Sequence, residues 1–358
     1  MFMALILVIF VLPGVIFAFH EGGIVYCEGC HATHVSPGSG PAMLTGSDPG
    51  STCLRCHAEG GQYYNVLSFN GSSYTAGGDF YWLMKTFTWQ KGAITYRSEG
   101  DNHGHNIVAD DYGLHADITA ATAPGGTYPA AGLSCISCHD PHGKTGVDST
   151  GIITENYRLL GGEGYRDGTN VGGIIFTDPA PIAAVDAYNW TESDTSHVAY
   201  GSGMSEWCGN CHADFLNDQY KHPAGNNEKL SQNMIDNYNS YIKTGNMQGT
   251  RSDAYLALVP FERGITDVDL LDPWSTSGPD PSGSANVMCL TCHRAHASAF
   301  NNIGRWDFSA TFLDDSHPQY GDNGATADDV FNSYYGRDIV ADFGTYQRQL
   351  CNKCHVQD

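Results

Sequence analysis

The chain has 358 residues and a formal net charge of −22, from 39 acidic against 17 basic side chains. That balance argues against a nucleic-acid partner, because phosphate recognition needs the opposite sign. It serves solubility, and it draws cations or a basic redox partner toward the surface.

In chain order, the first feature is an apolar segment over residues 1–18, Ala4-Leu5-Ile6-Leu7-Val8-Ile9-Phe10-Val11-Leu12 followed by Pro13, Gly14 and a cleavage position after Ala18. It reads as a secretory signal peptide, which leaves residues 19–358 as a single domain. No basic residue stands near Met1, so the true start lies further upstream or the segment is a retained anchor. No later stretch is apolar enough to span a bilayer.

Twelve cysteines would ordinarily point to disulfides or zinc, yet every one falls in a Cys-x-x-Cys pair. The pairs are Cys27/Cys30, Cys53/Cys56, Cys135/Cys138, Cys208/Cys211, Cys289/Cys292 and Cys351/Cys354, followed at once by His31, His57, His139, His212, His293 and His355. Two cysteines at this spacing sit on one helical turn and match the two vinyl groups of a haem, and the next histidine reaches the iron. Zinc ribbons need two pairs converging on one ion and have no use for histidine at that position. A redox site needs one pair, not six. The expected cofactors are six haem c, attached outside the cytoplasm.

The steps between motifs are irregular and the connections are rich in Gly and Pro, as in Gly38-Ser39-Gly40-Pro41 and Pro124-Gly125-Gly126. The expected fold is mostly irregular coil with a few short helices and little sheet. The 340 residues after the leader leave about 57 for each of six haems, too few for separate globules, so the chain should wrap a continuous haem stack. The clearest helix is predicted over residues 227–243, with Leu230, Met234, Tyr238, Tyr241 and Ile242 on one stripe, Gly245 near its end, and its apolar face against a haem. Thr326 and Asp329 form a capping-box pattern for a short helix ending before Gly336, and a single turn is expected within Tyr346 to His355.

Ten further histidines remain: His20, His34, His103, His105, His115, His142, His197, His222, His296 and His317. They are enough to close all six irons as bis-histidine sites, and a six-coordinate iron has no face for substrate. His34, His142 and His296 each stand three residues past a motif histidine, too close to cross their own haem but able to reach a neighbour's iron. Met204, Met234 and Met288 are the methionine alternatives.

These features resemble the hexahaem outer-surface cytochromes that polymerise into extracellular nanowires in metal-reducing bacteria. The resemblance runs along nearly the whole mature chain. It is carried by Phe19-His20, Cys27-Glu28-Gly29-Cys30-His31, Gly104-His105-Asn106-Ile107-Val108-Ala109 and Ala123-Pro124-Gly125-Gly126-Thr127-Tyr128-Pro129. It continues in His139-Asp140-Pro141-His142-Gly143-Lys144, Gly203-Met204-Ser205-Glu206-Trp207-Cys208, His222-Pro223-Ala224-Gly225-Asn226, Cys292-His293-Arg294-Ala295-His296-Ala297-Ser298 and Cys351-Asn352-Lys353-Cys354-His355. It implies distal ligands at His20, His34, His105, His142, His222 and His296, and so prefers His105 to His103. His103, His115, His197 and His317 are then expected at the surface. It further implies that His34 ligates the haem at His293 of an adjacent subunit. The chain is shorter than its relatives after His34 and around residues 58–76 and 145–160, where outer loops should differ.

The expected function is extracellular electron transfer, with copies of the chain as polymer partners, other multihaem cytochromes as donors, and metal oxides, electrodes or partner cells as acceptors. The expected location is the cell surface. The alternatives are a periplasmic carrier that does not polymerise, and a multihaem reductase with one open iron.

Overall fold

The computed structural model describes residues 27–32, 43–60, 64–143, 145–147, 153–166, 174–186, 191–217 and 223–356. The leader and His20, His34 and His222 lie outside the described residues. Among those described, irregular chain dominates, interrupted by helices of at most nine residues and three two-stranded antiparallel pairings. In the described part no helix is long and apolar enough to cross a membrane.

Helix α1, Pro49–His57, starts where Asp48 accepts hydrogen bonds from Ser51 N (2.7 Å) and Ser51 Oγ (2.6 Å), with proline at its first position. Strands β1, Phe87–Lys91, and β2, Ile94–Ser98, form a hairpin through Gly92 at φ +64°. Strand β3, Thr145–Val147, pairs with β4, Ile153–Glu155. Strand β5, Ile182–Ala184, pairs with β6, Ala199–Ser202, which leads directly into α2, Met204–His212. Helix α3 is Gln232–Ser240, α4 is Cys289–Cys292, α5 is Ala327–Asn332 and α6 is Ile339–Phe343.

The helix predicted over residues 227–243 is thus shorter than expected. Ser231 caps it by accepting from Met234 N at 3.3 Å, and Tyr241 already has extended backbone. Along the predicted stripe, Leu230, Tyr238 and Tyr241 are buried, whereas Ile242 is exposed because the helix has ended before it. Gly245, at φ +77°, instead serves the turn that follows. The capping box at Thr326 and Asp329 forms as expected. The turn expected near the C-terminus is Leu350–Lys353.

The largest apolar cluster joins Leu54, Trp82, Phe87, Ile107, Leu230, Ile235, Tyr238, Leu258, Phe261, Trp306 and Leu350. A second gathers Tyr157, Val185, Val198, Tyr200, Met204, Met288 and Leu290. Both include residues next to Cys-x-x-Cys pairs, so the core is built along the line of motifs. Met204 and Met288 are buried in that second cluster, where their side chains fill apolar space.

Candidate haem sites

Each motif lies on a single turn, carried by α1, α2, α4 or the short turns at Cys27–Gly29, Cys135–Ser137 and Leu350–Lys353. In the motifs outside α1 and α2 the histidine N–H donates to the first cysteine's carbonyl: His31 to Cys27 at 2.7 Å, His139 to Cys135 at 2.9 Å, His293 to Cys289 and His355 to Cys351 at 3.0 Å. That closure places both thiols and the imidazole on one side of the turn. None of the twelve thiols is in a disulfide.

The imidazoles are then fixed by backbone carbonyls. Nδ1 donates from His57 to Tyr64 (3.2 Å), from His139 to Arg158 (2.8 Å), from His212 to Pro124 (2.7 Å), from His293 to Asn302 (2.8 Å) and from His105 to Ala295 (2.7 Å). A carbonyl can only accept, so Nδ1 carries the proton and Nε2 keeps its lone pair for a metal. The Pro124-Gly125-Gly126 segment comes close enough for this because a side chain on Gly126 would collide with the Cys211 carbonyl. His105 is lowered to about 4 by burial and then by His212, and His296 to about 3 by burial and then by His139, so both rings are neutral.

Three pairs of imidazoles, each from segments distant in sequence, come together. Ring centroids are 6.3 Å apart for His31 and His142, 5.9 Å for His105 and His212, and 6.3 Å for His139 and His296. A ring nitrogen binds a transition metal at about 2 Å, so two rings on opposite sides of one ion have centroids about 6 Å apart. Their interplanar angles of 13°, 52° and 56° are free to differ, since rotation about the nitrogen–metal axis leaves coordination intact. The residues present fit an iron porphyrin with two axial imidazoles.

The motif turns also neighbour one another in chain order. The Cys53 and Cys135 thiols lie close enough to perturb each other, as do those of Cys208 and Cys289. Burial raises Cys30, with Cys53 and Cys56 adding to the rise, and burial raises Cys292 to about 12, with Cys351 adding to it. Cys208, held high first by the neighbouring Cys289 thiol and then by burial, also feels Cys138.

The first, third and fifth motifs share a device that the spacing conceals. Ala32 N donates to Met43 O (2.7 Å) and Thr45 N to Cys30 O (2.9 Å). Asp140 N donates to Leu159 O (2.7 Å) and Gly161 N to Cys138 O (2.9 Å). Arg294 N donates to Ile303 O and Arg305 N to Cys292 O, both at 2.8 Å. Met43, Leu159 and Ile303 all have left-handed backbone, φ 56–57°, as do Arg158 (49°) and Asn302 (59°). Such conformations cost non-glycine residues about 1–3 kcal/mol each and are held here by the returning segment.

Two of the histidines expected at the surface are buried. His103 donates and accepts between Trp82 O (3.0 Å) and Ser98 Oγ (2.7 Å) and stacks on Phe87. His197 stacks on Tyr255 at 3.6 Å. Aromatic neighbours distant in sequence cover both rings, and the Trp82 carbonyl and Ser98 hydroxyl satisfy His103. His115 is exposed as expected, and His317 pairs with Asp322 at 2.6 Å and stacks on Trp89.

A charged network that the sequence did not announce ties the motif turn at His293 to the surrounding core. Glu192 is buried between Arg294 and Arg305, the latter at 3.1 Å. Arg305 Nε donates to Leu290 O (2.6 Å) and His293 O (3.2 Å), and Arg294 lies 3.7 Å over the Tyr335 ring. Burial pushes the Glu192 carboxyl up, but Arg305 and Arg294 more than offset it and hold it below the usual range. Glu192, Arg158 and His197 also face a common cavity of about 10 Å³, room for about one water.

The doubled CXXCH motif family matches residues 18–62, the span of the first two motifs. C-type cytochrome OmcS of Geobacter sulfurreducens is 40% identical over 414 residues, covering 96% of this chain and 95% of that protein. Two solved structures from the same organism, an Outer Membrane Cytochrome S filament and OmcS nanowires seen by cryo-EM, each align with a TM-score of 0.81. They are 38% and 37% identical, and each alignment covers 95% of this chain and all of the other. With that identity and fold shared end to end, the chain belongs to the OmcS family of multihaem c-type cytochromes.

Proposed function

We propose that this protein is the subunit of an extracellular cytochrome filament that conducts electrons through six bis-histidine haems. The observation that carries this reading is the set of facing imidazole pairs at 5.9–6.3 Å, which closes irons instead of leaving a substrate face. Haem supplies the one-electron chemistry when bound, and the chain supplies attachment, spacing and electrostatics.

The ligand pairs are His31 with His142, His139 with His296, and His212 with His105. In two of them the histidine three residues past a motif reaches back two motifs, from His142 to His31 and from His296 to His139. The same step taken from His34 leads off the chain to the haem at His293 of another copy. His20 and His222 serve the remaining irons, at His57 and His355. The contacts between motif turns support a path that follows motif order, first to sixth. Polymerisation joins copies of this chain, other multihaem cytochromes deliver electrons, and metal oxides, electrodes or partner cells take them up at the cell surface.

The test is spectroscopic. Uniformly low-spin ferric haem and no carbon monoxide binding after reduction are expected, and one high-spin haem in the native filament would overturn the conduit reading. His34→Ala is expected to yield soluble subunits with the haem at His293 short of one ligand, and unchanged filaments would refute that role.

A further inference from the structure

Glu262 is a buried carboxylate held where the fourth and fifth motif turns meet. One of its oxygens accepts from the backbone N–H of Met204, the first residue of α2, at 2.7 Å. The other accepts from Asn286 Nδ2 at 2.5 Å, just ahead of Cys289. The backbones of Glu262 and Asn286 also exchange hydrogen bonds, at 3.1 and 3.0 Å. The two turns touch directly as well, with Cys289 N donating to Ser205 Oγ at 3.0 Å. One carboxylate is thus bonded to the segments that carry both motifs, and its charge reaches the Cys208 and Cys289 sulfurs.

No cation pairs with Glu262 among the described residues. Buried carboxylates elsewhere are compensated: Glu192 and Asp329 touch basic side chains, and Asp79 accepts from Ser68, Ser73 and Tyr81. Lys229, exposed and ahead of α3, is one step removed from Glu262, its Nζ donating to Asn286 Oδ1 at 3.1 Å. Glu206 acts on Glu262 from α2; its Oε1 accepts from Asn226 N at 2.6 Å, and its buried Oε2 has no partner. Burial pushes the Glu262 carboxyl up, the Met204 and Asn286 N–H groups pull it back, Glu206 adds to the rise and Lys229 opposes it; burial prevails. Cys208 and Cys289 cease to titrate once they are thioethers.

We propose that Glu262 takes up a proton when the haems attached at Cys208/Cys211 and Cys289/Cys292 are reduced and releases it on reoxidation, coupling electron passage across this junction to proton transfer. The inference rests on the reading of the chain as an electron conduit. The step balances with one electron from a neighbouring haem reducing a ferric iron and one proton from solvent forming the O–H bond of the carboxylic acid. Reoxidation passes the electron to the next haem and returns the proton to water.

An added electron places negative charge near an anion that has no counter-charge of its own, and out of water that repulsion is large. A proton on the carboxylate removes it. The coupling is reciprocal, so a protonated Glu262 makes both haems easier to reduce. Their potentials therefore fall as pH rises between the carboxyl's pKa in the oxidised protein and its higher pKa in the reduced one. Full coupling is a tenfold change in the oxidised-to-reduced ratio per pH unit at fixed potential, about 59 mV for a one-electron couple.

The test is spectroelectrochemical titration of the full-length secreted holoprotein at a series of pH values, with reduced-minus-oxidised infrared difference spectra. The potentials of two haems are expected to fall with rising pH across one window, and a protonated-carboxyl C=O band is expected to appear on reduction. Glu262→Gln, which keeps the size and removes the ionisable proton, is expected to abolish both. Lys229→Ala leaves Glu262 in place and is expected to move the window to higher pH, because a cation that favours the anion is gone. Potentials independent of pH in the wild type, or an undiminished band in Glu262→Gln, overturn the inference. Should Glu262→Gln fail to fold, an unmoved window in Lys229→Ala overturns it instead. Uniformly low-spin haem at the start of each titration reports on the conduit reading separately, so that reading stands when only the proton coupling fails; a high-spin haem overturns both.

Discussion

Replacing Glu192 by glutamine tests the buried network that joins the motif turn at His293 to the surrounding core. Glu192 is almost fully enclosed, and its carboxylate touches Arg294 and Arg305, the latter at 3.1 Å. At an effective dielectric near 20, one such pair at that distance is worth about 5 kcal/mol before desolvation. Removing one partner of a buried pair costs about 3–5 kcal/mol, because the charge left behind stays out of water. Here two guanidiniums are left. Against a total stability of about 5–15 kcal/mol, Glu192→Gln is expected to lower the denaturant midpoint of the ferric protein by a large fraction. The unfolding is followed in the Soret region. A loss below about 1 kcal/mol would refute the reasoning, for it would show that the arginines find other compensation. The pH dependence has a definite sign. A carboxyl held below its usual range adds stability above its unfolded pKa and loses it as pH falls through the folded one. Glu192→Gln should therefore remove part of the wild-type stability rise that accompanies deprotonation at acidic pH.

Two other outcomes follow from the geometry. His105→Met should convert only the haem at Cys208 and Cys211 to histidine–methionine ligation and raise its reduction potential, readable by near-infrared magnetic circular dichroism and spectroelectrochemistry; an unaltered spectrum would separate His105 from that iron. Asp48→Ala should destabilise the protein by about 1–2 kcal/mol in thermal unfolding, toward the upper end because Asp48 also accepts from Asp110 N at 2.9 Å. A change within a few tenths would mean that water replaces the cap.

The attachment chemistry was legible in the sequence because it is local: two thiols and an imidazole within five residues must share a turn. The capping box at Thr326 was legible for the same reason. The imidazole partners were not, since His142 and His31, or His296 and His139, meet only when distant segments fold back. Counting left His103 and His105 equivalent, and the structure separates them by direction. His105 faces His212, whereas His103 turns into Phe87 and Ser98. The return segments stayed hidden because Met43, Leu159 and Ile303 share a backbone conformation and no common residue type. Glu192, Arg294 and Arg305 gave no signal in sequence either, since one of the three lies about a hundred positions from the others.

The carbonyl latches on the motif imidazoles also imply a timetable for assembly. The ring of His139 waits for Arg158, and that of His293 for Asn302, only a short stretch of chain later. The ring facing His31 arrives with His142, more than a hundred residues on, and the one facing His139 comes later still, with His296. By contrast, His105 is already present when His212 emerges. If these pairs hold haem as proposed, a chain that emerges N-terminus first would anchor the porphyrins at His31 and His139 from one side and close the second side only once a later motif has emerged.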